Sequence, residues 1–455
     1  MHLVLTRLTV RGFKNLLDVD LCLGPFTCLV GENAVGKSNL FDAIRFLHLL
    51  ASRPIPEAVS NVRESRGRPA RPADLFTGFG GTRAADEIRI AAEMIVKPTA
   101  VDDFSVEATA SITSLRYEVA FELDEAEDRL VLKEEHLSPI TLGQARKNLS
   151  PWAKPGFLKS VLKGARRGRG RDLISTTGGR IQLHQDGHGG RKVPSAGSSR
   201  TVLSSANADF PTALAAKREM ESWRSLQLEP SAMRAPSLYT DPKQIDERGA
   251  FLAAALQRLA KLRGPEAWAE IAERVSRLVP EMEELRVVSD DRTETHTAEI
   301  RGVDKTFRPA RALSDGTLRF LVLAALTVDP DSTGTLCIEE PENGIHPERI
   351  ADMTTLLYDL AVDPNVVVGT DNPLRQVLVN THSPLVYKEV RREDLVFLES
   401  VDIVRDRTRG RGVAIRVPGG TWRANLASPA HRRVQPARTL AWEQMEFRFR
   451  AAEEP

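Results

Sequence analysis

Residues 31–39 read GENAVGKSN. Gly31, Gly36, Lys37 and Ser38 fit the spacing G-x4-G-K-S, in which glycines let backbone N–H groups converge on phosphate oxygens. Lys37 would neutralise β- and γ-phosphate oxygens, and Ser38 would offer a hydroxyl to Mg2+. Glu32, Asn33 and Asn39 complete the stretch. Far downstream, residues 334–347 read GTLCIEEPENGIHP, an apolar run ending in two adjacent carboxylates, Glu339 and Glu340. Unpaired charge beside a core is unfavourable, so such a pair points to use. One carboxylate would be stabilised by Mg2+, and the other would polarise an attacking water. Residues 312–320, ALSDGTLRF, place Ser314, Asp315 and Gly316 at the head of an apolar helix, a second anion-binding terminus. One phosphate loop is already present, so a second points to the nucleotide of a partner molecule. Residues 380–384, NTHSP, set His382 just after an apolar strand, where it is a candidate sensor of a γ-phosphate.

Chemistry of this kind needs a strand before the loop and a helix after it. FTCLVGEN is a short apolar run ending in the glycine loop. NLFDAIRFLHLL then carries Leu40, Ile44, Phe46, Leu47 and Leu50 at helical spacing. LVLTRLTVRGF and LLDVDLCLG alternate, as strands with one wet face do. Residues 87–96 and 114–123 predict antiparallel neighbours, and 51–83, rich in Pro, Arg and Gly, predict a loop. Residues 161–200 carry nine Lys plus Arg against two acidic residues. That composition suits either a solvated loop or a contact with a phosphate backbone. His184 and His188 lie there at HxxxH, but the glycine-rich surroundings argue against a metal site. From about 245 to 285 an apolar stripe at Phe251, Leu252, Ala255, Leu256 and Leu259 precedes Gly264-Pro265 and a second helix. This predicts a helical hairpin. Heptads are not sustained, so no long coiled-coil arm is expected. The last third alternates helix and strand: a helix after 316, TLCIEE, a helix from about 347, then QVLVNTHS. This is the pattern of a parallel, helix-covered sheet.

The 455 residues suffice for a sizeable core, and the net charge of +1 neither favours nor excludes a nucleic-acid partner. Cys22, Cys28 and Cys337 sit in apolar runs and read as buried reduced thiols. No CxxC pair suggests a zinc hook or redox motif. Arg7, Arg11 and Lys14 interrupt the early apolar residues, so no signal peptide is expected. The longest obvious apolar run, 320–328, is shorter than the roughly 20 residues that span a bilayer. A soluble, cytoplasmic protein with no membrane partner is the expectation.

Taken in order, GENAVGKS, LSDGT, LCIEEPE and NTHSP resemble the Walker A, signature, Walker B and histidine-switch motifs of ABC-type ATPases of the RecF/SMC branch. Within it the chain resembles the AAA15 or AAA_21 group, close to the ATPase half of OLD-family proteins. RGFKN at 11–15, ENGIHP at 342–347 and FLAAAL at 251–256 add to the likeness, which covers roughly 1–130 and 245–400. The implied fold is α/β: a P-loop NTPase, ABC-type head, with a mixed sheet plus an inserted helical and irregular region. The implied organisation is an N-terminal lobe at 1–130, an insertion at 131–300, a C-terminal lobe at 301–400 and an extension at 401–455.

The resemblance also implies a head-to-head homodimer, open to higher assembly. Two ATP molecules would each lie between the Lys37 loop of one subunit and Ser314–Gly316 of the other. Glu339 would hold Mg2+ through water, Glu340 would be the general base, and His382 would contact the γ-phosphate. Lys14 and Asn15 would sit near the nucleotide. The implied task is ATP hydrolysis coupled to DNA repair or antiphage defence, with DNA and a separate effector protein as partners. A non-hydrolysing ATP-dependent sensor or scaffold is an alternative, disfavoured by Glu340. A transporter nucleotide-binding subunit is another, disfavoured by the 277 residues between Lys37 and Ser314. Three departures stand out: Glu339 where Asp is usual, LSDGT for LSGGQ, and no Gln before Gln144 to serve a Q-loop. No Toprim pattern follows His382, so an intrinsic OLD-type nuclease is not expected.

Overall fold

A computed structural model of the chain describes residues 4–62, 70–79, 82–164, 171–186, 190–194, 197–369, 371–405 and 408–426. The first strands, β1 (Leu5–Phe13) and β2 (Leu16–Cys22), alternate buried and wetter positions. The next, β3 (Phe26–Val30), is buried throughout and leads through the glycine loop into α1 (Lys37–Ser52). Strands β4 (Glu87–Ile95), β5 (Ser114–Asp124), β6 (Arg129–Pro139), β7 (Ile174–Thr177), β8 (Arg180–His184) and β9 (Gly190–Pro194) follow. Then come α2 (Pro211–Glu221), β10 (Arg224–Leu226), α3 (Leu252–Arg263), α4 (Glu266–Ser276), β11 (Met282–Asp290) and β12 (Thr295–Gly302). The last third holds α5 (Asp315–Val328), β13 (Gly334–Glu339), α6 (Ile350–Leu360), β14 (Arg375–Thr381), β15 (Leu395–Arg405) and β16 (Thr408–Arg416).

Two sheets dominate. An antiparallel sheet runs β9-β8-β7-β6-β5-β4-β1-β2. A mixed sheet runs β10-β13-β14-β3-β15-β16, parallel except for the last pair. Strands β3 and β14 are buried at every residue, as strands covered on both faces are, and the polar members of β14, Arg375, Gln376, Asn380 and Thr381, are each hydrogen-bonded. Helix α1 fits between the sheets because its apolar face meets aromatic rings from the antiparallel one. Phe46 lies 6.0 Å from Phe13 and 5.7 Å from Phe121, centroid to centroid. Gln376 ties the sheets directly. Its buried amide donates to the carbonyls of Leu5 and Gly24 and accepts from Leu5 N–H and Thr335 Oγ1. All of its hydrogen-bonding capacity is used, as burial of a polar group requires.

The predicted pairing of 87–96 with 114–123 is present as β4 against β5. The helical hairpin is present as α3 and α4, turned at Gly264 with φ of 84° and tied by Trp268 Nε1 donating to the Leu256 carbonyl at 2.8 Å. Residues 51–83 are not all loop, since they contain a helix at Ile55–Ser60 and a 3-10 turn at Pro72–Leu75. The basic stretch at 161–200 contains β7, β8 and β9, which extend the antiparallel sheet. Leu173, Ile174, Ile181 and Leu183 supply buried anchors that the surrounding charge conceals in the sequence. His184 is buried with Nε2 3.0 Å from Ser175 Oγ, and His188 lies outside the described residues. Residues 131–300 contribute to both large sheets, and β16 continues the mixed sheet beyond residue 400. Cys28 and Cys337 are buried and Cys22 is half-buried, and burial pushes all three thiols upward.

Glu135 is a fully buried carboxylate on β6. It accepts from the N–H groups of Val202 and Leu203, at 2.6 and 2.8 Å, and from Tyr117 Oη at 3.0 Å. Burial pushes it up to about 7 despite these donors. Between the ordinary carboxylate range and that value, the folded chain holds a proton that the unfolded chain has released. Stability from this group therefore falls as pH rises from about 4.5 to about 7. Urea unfolding at pH 5 and pH 7 should show this slope in the wild type and its loss in Glu135→Gln. The variant should also be less stable by about 1–3 kcal/mol, because its amide can face Val202 N–H with a donor. An unchanged slope would contradict the assignment.

Candidate functional site

Backbone pairing decides where the site lies. In the parallel register Val30 faces Thr381, and Asn380 faces Glu339. The chain therefore leaves β3, β14 and β13 at one level, at their carboxyl ends. That edge is where parallel sheets bind ligands. It brings the glycine loop after Val30 to the carboxylates at 339–340 and to His382, which lie some three hundred residues further along the sequence.

The loop is shaped by backbone conformations that few residues tolerate. Gly36 has φ of 119°, and a Cβ there would come within 2.7 Å of the Asn15 side-chain amide. At Gly31 a Cβ would meet the Leu398 carbonyl at 2.8 Å. Asn15 braces the loop from outside: its Nδ2 donates to the Val35 carbonyl at 2.9 Å, and its Oδ1 accepts from Asn39 Nδ2 at 2.8 Å. The neighbouring Lys14 donates to buried Asp42 of α1 at 2.7 Å. Lys37 is buried, and its Nζ donates to the carbonyls of Gly31 and Glu32 at 2.5 and 2.7 Å. Burial lowers its affinity for a proton, opposed by the negative field of Glu340, Glu342 and Glu32. Glu32 and Asn33 are exposed at the loop's tip.

Ser38 Oγ donates to Glu339 Oε2 at 3.4 Å, so the first turn of α1 meets the end of β13. Glu340 follows with φ of 43°, a left-handed conformation that a non-glycine residue adopts only when its surroundings hold it. They do so here. Its N–H donates to the Asn380 carbonyl and Oδ1, at 3.1 and 3.0 Å. Its Oε1 lies 3.1 Å from His382 Nδ1, and its Oε2 accepts from Asn343 at 2.9 Å. Among the described residues no group of three or more His, Cys, Asp or Glu side chains is arranged as a metal cage.

Ser314, Asp315 and Gly316 stand at the head of α5. Ser314 caps it, accepting from Thr317 N–H at 3.2 Å, and Asp315 pairs with Arg234. Among the described residues, none of their hydrogen bonds reaches the glycine loop. Gly316 packs instead on the Gly344 carbonyl, which would lie 3.1 Å from a Cβ at that position. Sequence reasoning missed Asp42, Asn343, Asn380, Thr381 and Glu342 as members of this cluster. The available signal was polarity inside apolar runs, as in QVLVNT.

A glycine loop between a buried strand and helix, with paired acids and a histidine on adjoining strand ends, defines a P-loop NTPase head of the ABC type. The family described as "AAA domain, putative AbiEii toxin, Type IV TA system" (AAA_21) matches residues 26–140 and 180–387, and the chain belongs to it. It is 34% identical over 62 residues to the DNA replication and repair protein RecF of Phocaeicola vulgatus, covering 13% of this chain and 17% of that one. Against RecF of Paenarthrobacter aurescens it is 37% identical over 79 residues, 17% of this chain and 20% of that one. Against RecF of an Anaeromyxobacter species it is 40% identical over 80 residues, 17% and 21% of the two chains. The match thus spans no more than 21% of the length of these relatives. Among solved structures, an Smc head bound to the C-winged helix domain of ScpA superposes over 90% of this chain and 97% of its own, at 13% identity and a TM-score of 0.47. The Pyrococcus furiosus Smc head with an extended coiled coil gives 91%, 96%, 12% and 0.46. Among the described residues no helix is long and apolar enough to cross a membrane. The likeness to OLD-family proteins rests on the motifs alone.

Gly36→Ala should lower thermal stability and nucleotide affinity together, since it strains a left-handed position by about 1–3 kcal/mol and presses on Asn15. Thermal melts and equilibrium binding of a fluorescent ATP analogue would check this. Wild-type affinity in the variant would contradict the loop geometry.

Proposed function

We propose that the chain binds and hydrolyses ATP, dimerises around it, and couples turnover to a DNA-related task with a separate effector protein. The carrying observation is the meeting of Lys37, Ser38, Glu339, Glu340 and His382 at one sheet edge. The residues suit a nucleotide with its cation. Gly31 and Gly36 leave backbone clear where side chains would intrude, and Ser38 with Glu339 offers two hard oxygen donors suited to Mg2+. Ser38 and Glu339 would hold that ion, whose charge offsets that of the phosphates when it is bound. Lys37 would exchange the carbonyls of Gly31 and Glu32 for phosphate oxygens.

Glu340 is the general base in this reading. Both of its oxygens are oriented, one by His382 and one by Asn343, and each keeps lone pairs free to take a proton from water. The α5 terminus, Ser314–Gly316, would serve the nucleotide of a second copy, with the helix dipole directed at it. Gly316 against Gly344 places that terminus beside the loop following Glu340, which favours a shared dimer face. The DNA-related task draws on the named role of the RecF relatives in replication and repair. The soluble, cytoplasmic setting is part of the same reading.

Glu340→Gln keeps the hydrogen-bonding shape but removes the base, so it should accumulate as a dimer in Mg·ATP. Light scattering should show the mass doubling in the variant with ATP, against a largely monomeric variant without it. A variant that stays monomeric in saturating ATP, or is already dimeric without it, would contradict the ATP sandwich.

A further inference from the structure

Glu342 is the third carboxylate of the group Glu339, Glu340 and Glu342 at the end of β13, and no role has been given to it in the chemistry above. Its Oε1 accepts from Thr381 Oγ1 at 2.5 Å, across 39 residues of sequence. Its Oε2 is buried and has no hydrogen-bond partner among the described residues. Burial pushes the carboxyl upward, and the Thr381 donor opposes this. The Thr381 hydroxyl is itself shared: having given its proton to Glu342, it accepts from Ser383 N–H at 2.9 Å. Those two bonds bracket His382, the residue between Thr381 and Ser383.

A hydroxyl has one proton and two lone pairs. With the proton committed to Glu342, a lone pair of Oγ1 faces the Ser383 amide, and the turn carrying His382 is fixed. The Thr381 side chain is held on the strand side as well, since the residue is fully buried at the end of β14. His382 itself is exposed and its ring lies against Glu340, so its orientation draws on this turn and on that contact. Glu342 also adds to the negative field at Lys37 and at Arg319 on α5.

We propose that Glu342 is a positioning residue: through the Thr381 hydroxyl and the Ser383 amide it fixes the turn that presents His382 to Glu340. The inference rests on the reading of Glu340 as general base, but its structural half stands apart from it. Glu342→Ala and Thr381→Val should each lower kcat on the order of 10- to 100-fold, with ATP affinity within about twofold of wild type. Thr381→Ser keeps the hydroxyl and should stay within about threefold of wild-type kcat. The double variant Glu342→Ala/His382→Ala should be no slower than His382→Ala alone, because residues acting through one group are not additive. In the nucleotide-free protein, the Ser383 amide should exchange with solvent faster in Glu342→Ala and Thr381→Val, and the amides of 31–38 should not. Additive losses in the double variant, or unchanged Ser383 exchange, would overturn the proposal. Absence of turnover in the wild type would instead overturn the hydrolytic reading, while the exchange experiment still tests the positioning.

Discussion

The parallel pairing of β3 with β14 and of β14 with β13 is the constraint on which the rest depends. Hydrogen bonds between these strands put Val30 opposite Thr381 and Asn380 opposite Glu339. A strand's side chains alternate, so a slip of one residue would turn every functional group at this edge to the wrong face. The register is protected because β3 and β14 are buried on both faces and because Gln376 bonds to Leu5, Gly24 and Thr335 at the far end. Lys37, Ser38, Glu339, Glu340 and His382 then meet without a dedicated scaffold, supplied by the end of β13, the residues just after β13 and β14, and the helix start that follows the glycine loop.

Around this edge, conformations that are unfavourable alone are held by specific partners. Glu340 is left-handed because Asn380 takes its N–H twice over. Ala34 and Lys14 also have positive φ, at 62° and 50°, and Asn15 binds the loop between them. Lys37 is buried yet donates to two carbonyls. Strain of this kind, together with buried charge, concentrates where chemistry is done. The outer face of the antiparallel sheet contrasts with it. There Arg7, Arg89, Arg116 and Lys133 each pair with carboxylates on neighbouring strands. Such half-exposed pairs contribute little stability, and they leave that face charge-balanced.

Much of the site was legible because its residue types are dictated by chemistry at close range. Gly31, Gly36, Lys37 and Ser38 lie within eight residues, and Glu339 with Glu340 ends an apolar run, so each motif carries its own context. Strands β1 to β5, β13 and β14 were legible for the same local reason, since periodicity and apolar runs read burial, whereas β6, β10 to β12, β15 and β16 were not singled out. What escaped was long-range or masked by charge. The bond from Thr381 to Glu342 and the cap of Asn380 on Glu340 depend on which strands become neighbours, and no local pattern states that. Strands β7 to β9 were concealed because a few buried positions lie among many basic residues. The helix at Ile55–Ser60 was concealed by prolines that the sequence reading took as breakers, although Pro54 and Pro56 sit where a helix start tolerates them.

The central claim is that the glycine loop and the paired acids act on one nucleotide. Its most direct test is ATP binding and single-turnover hydrolysis measured together for wild type, Lys37→Ala and Glu340→Gln. The account predicts that Lys37→Ala loses binding and that Glu340→Gln binds as wild type but loses turnover by roughly 100-fold or more. Wild-type turnover in Glu340→Gln, or wild-type binding in Lys37→Ala, would contradict it.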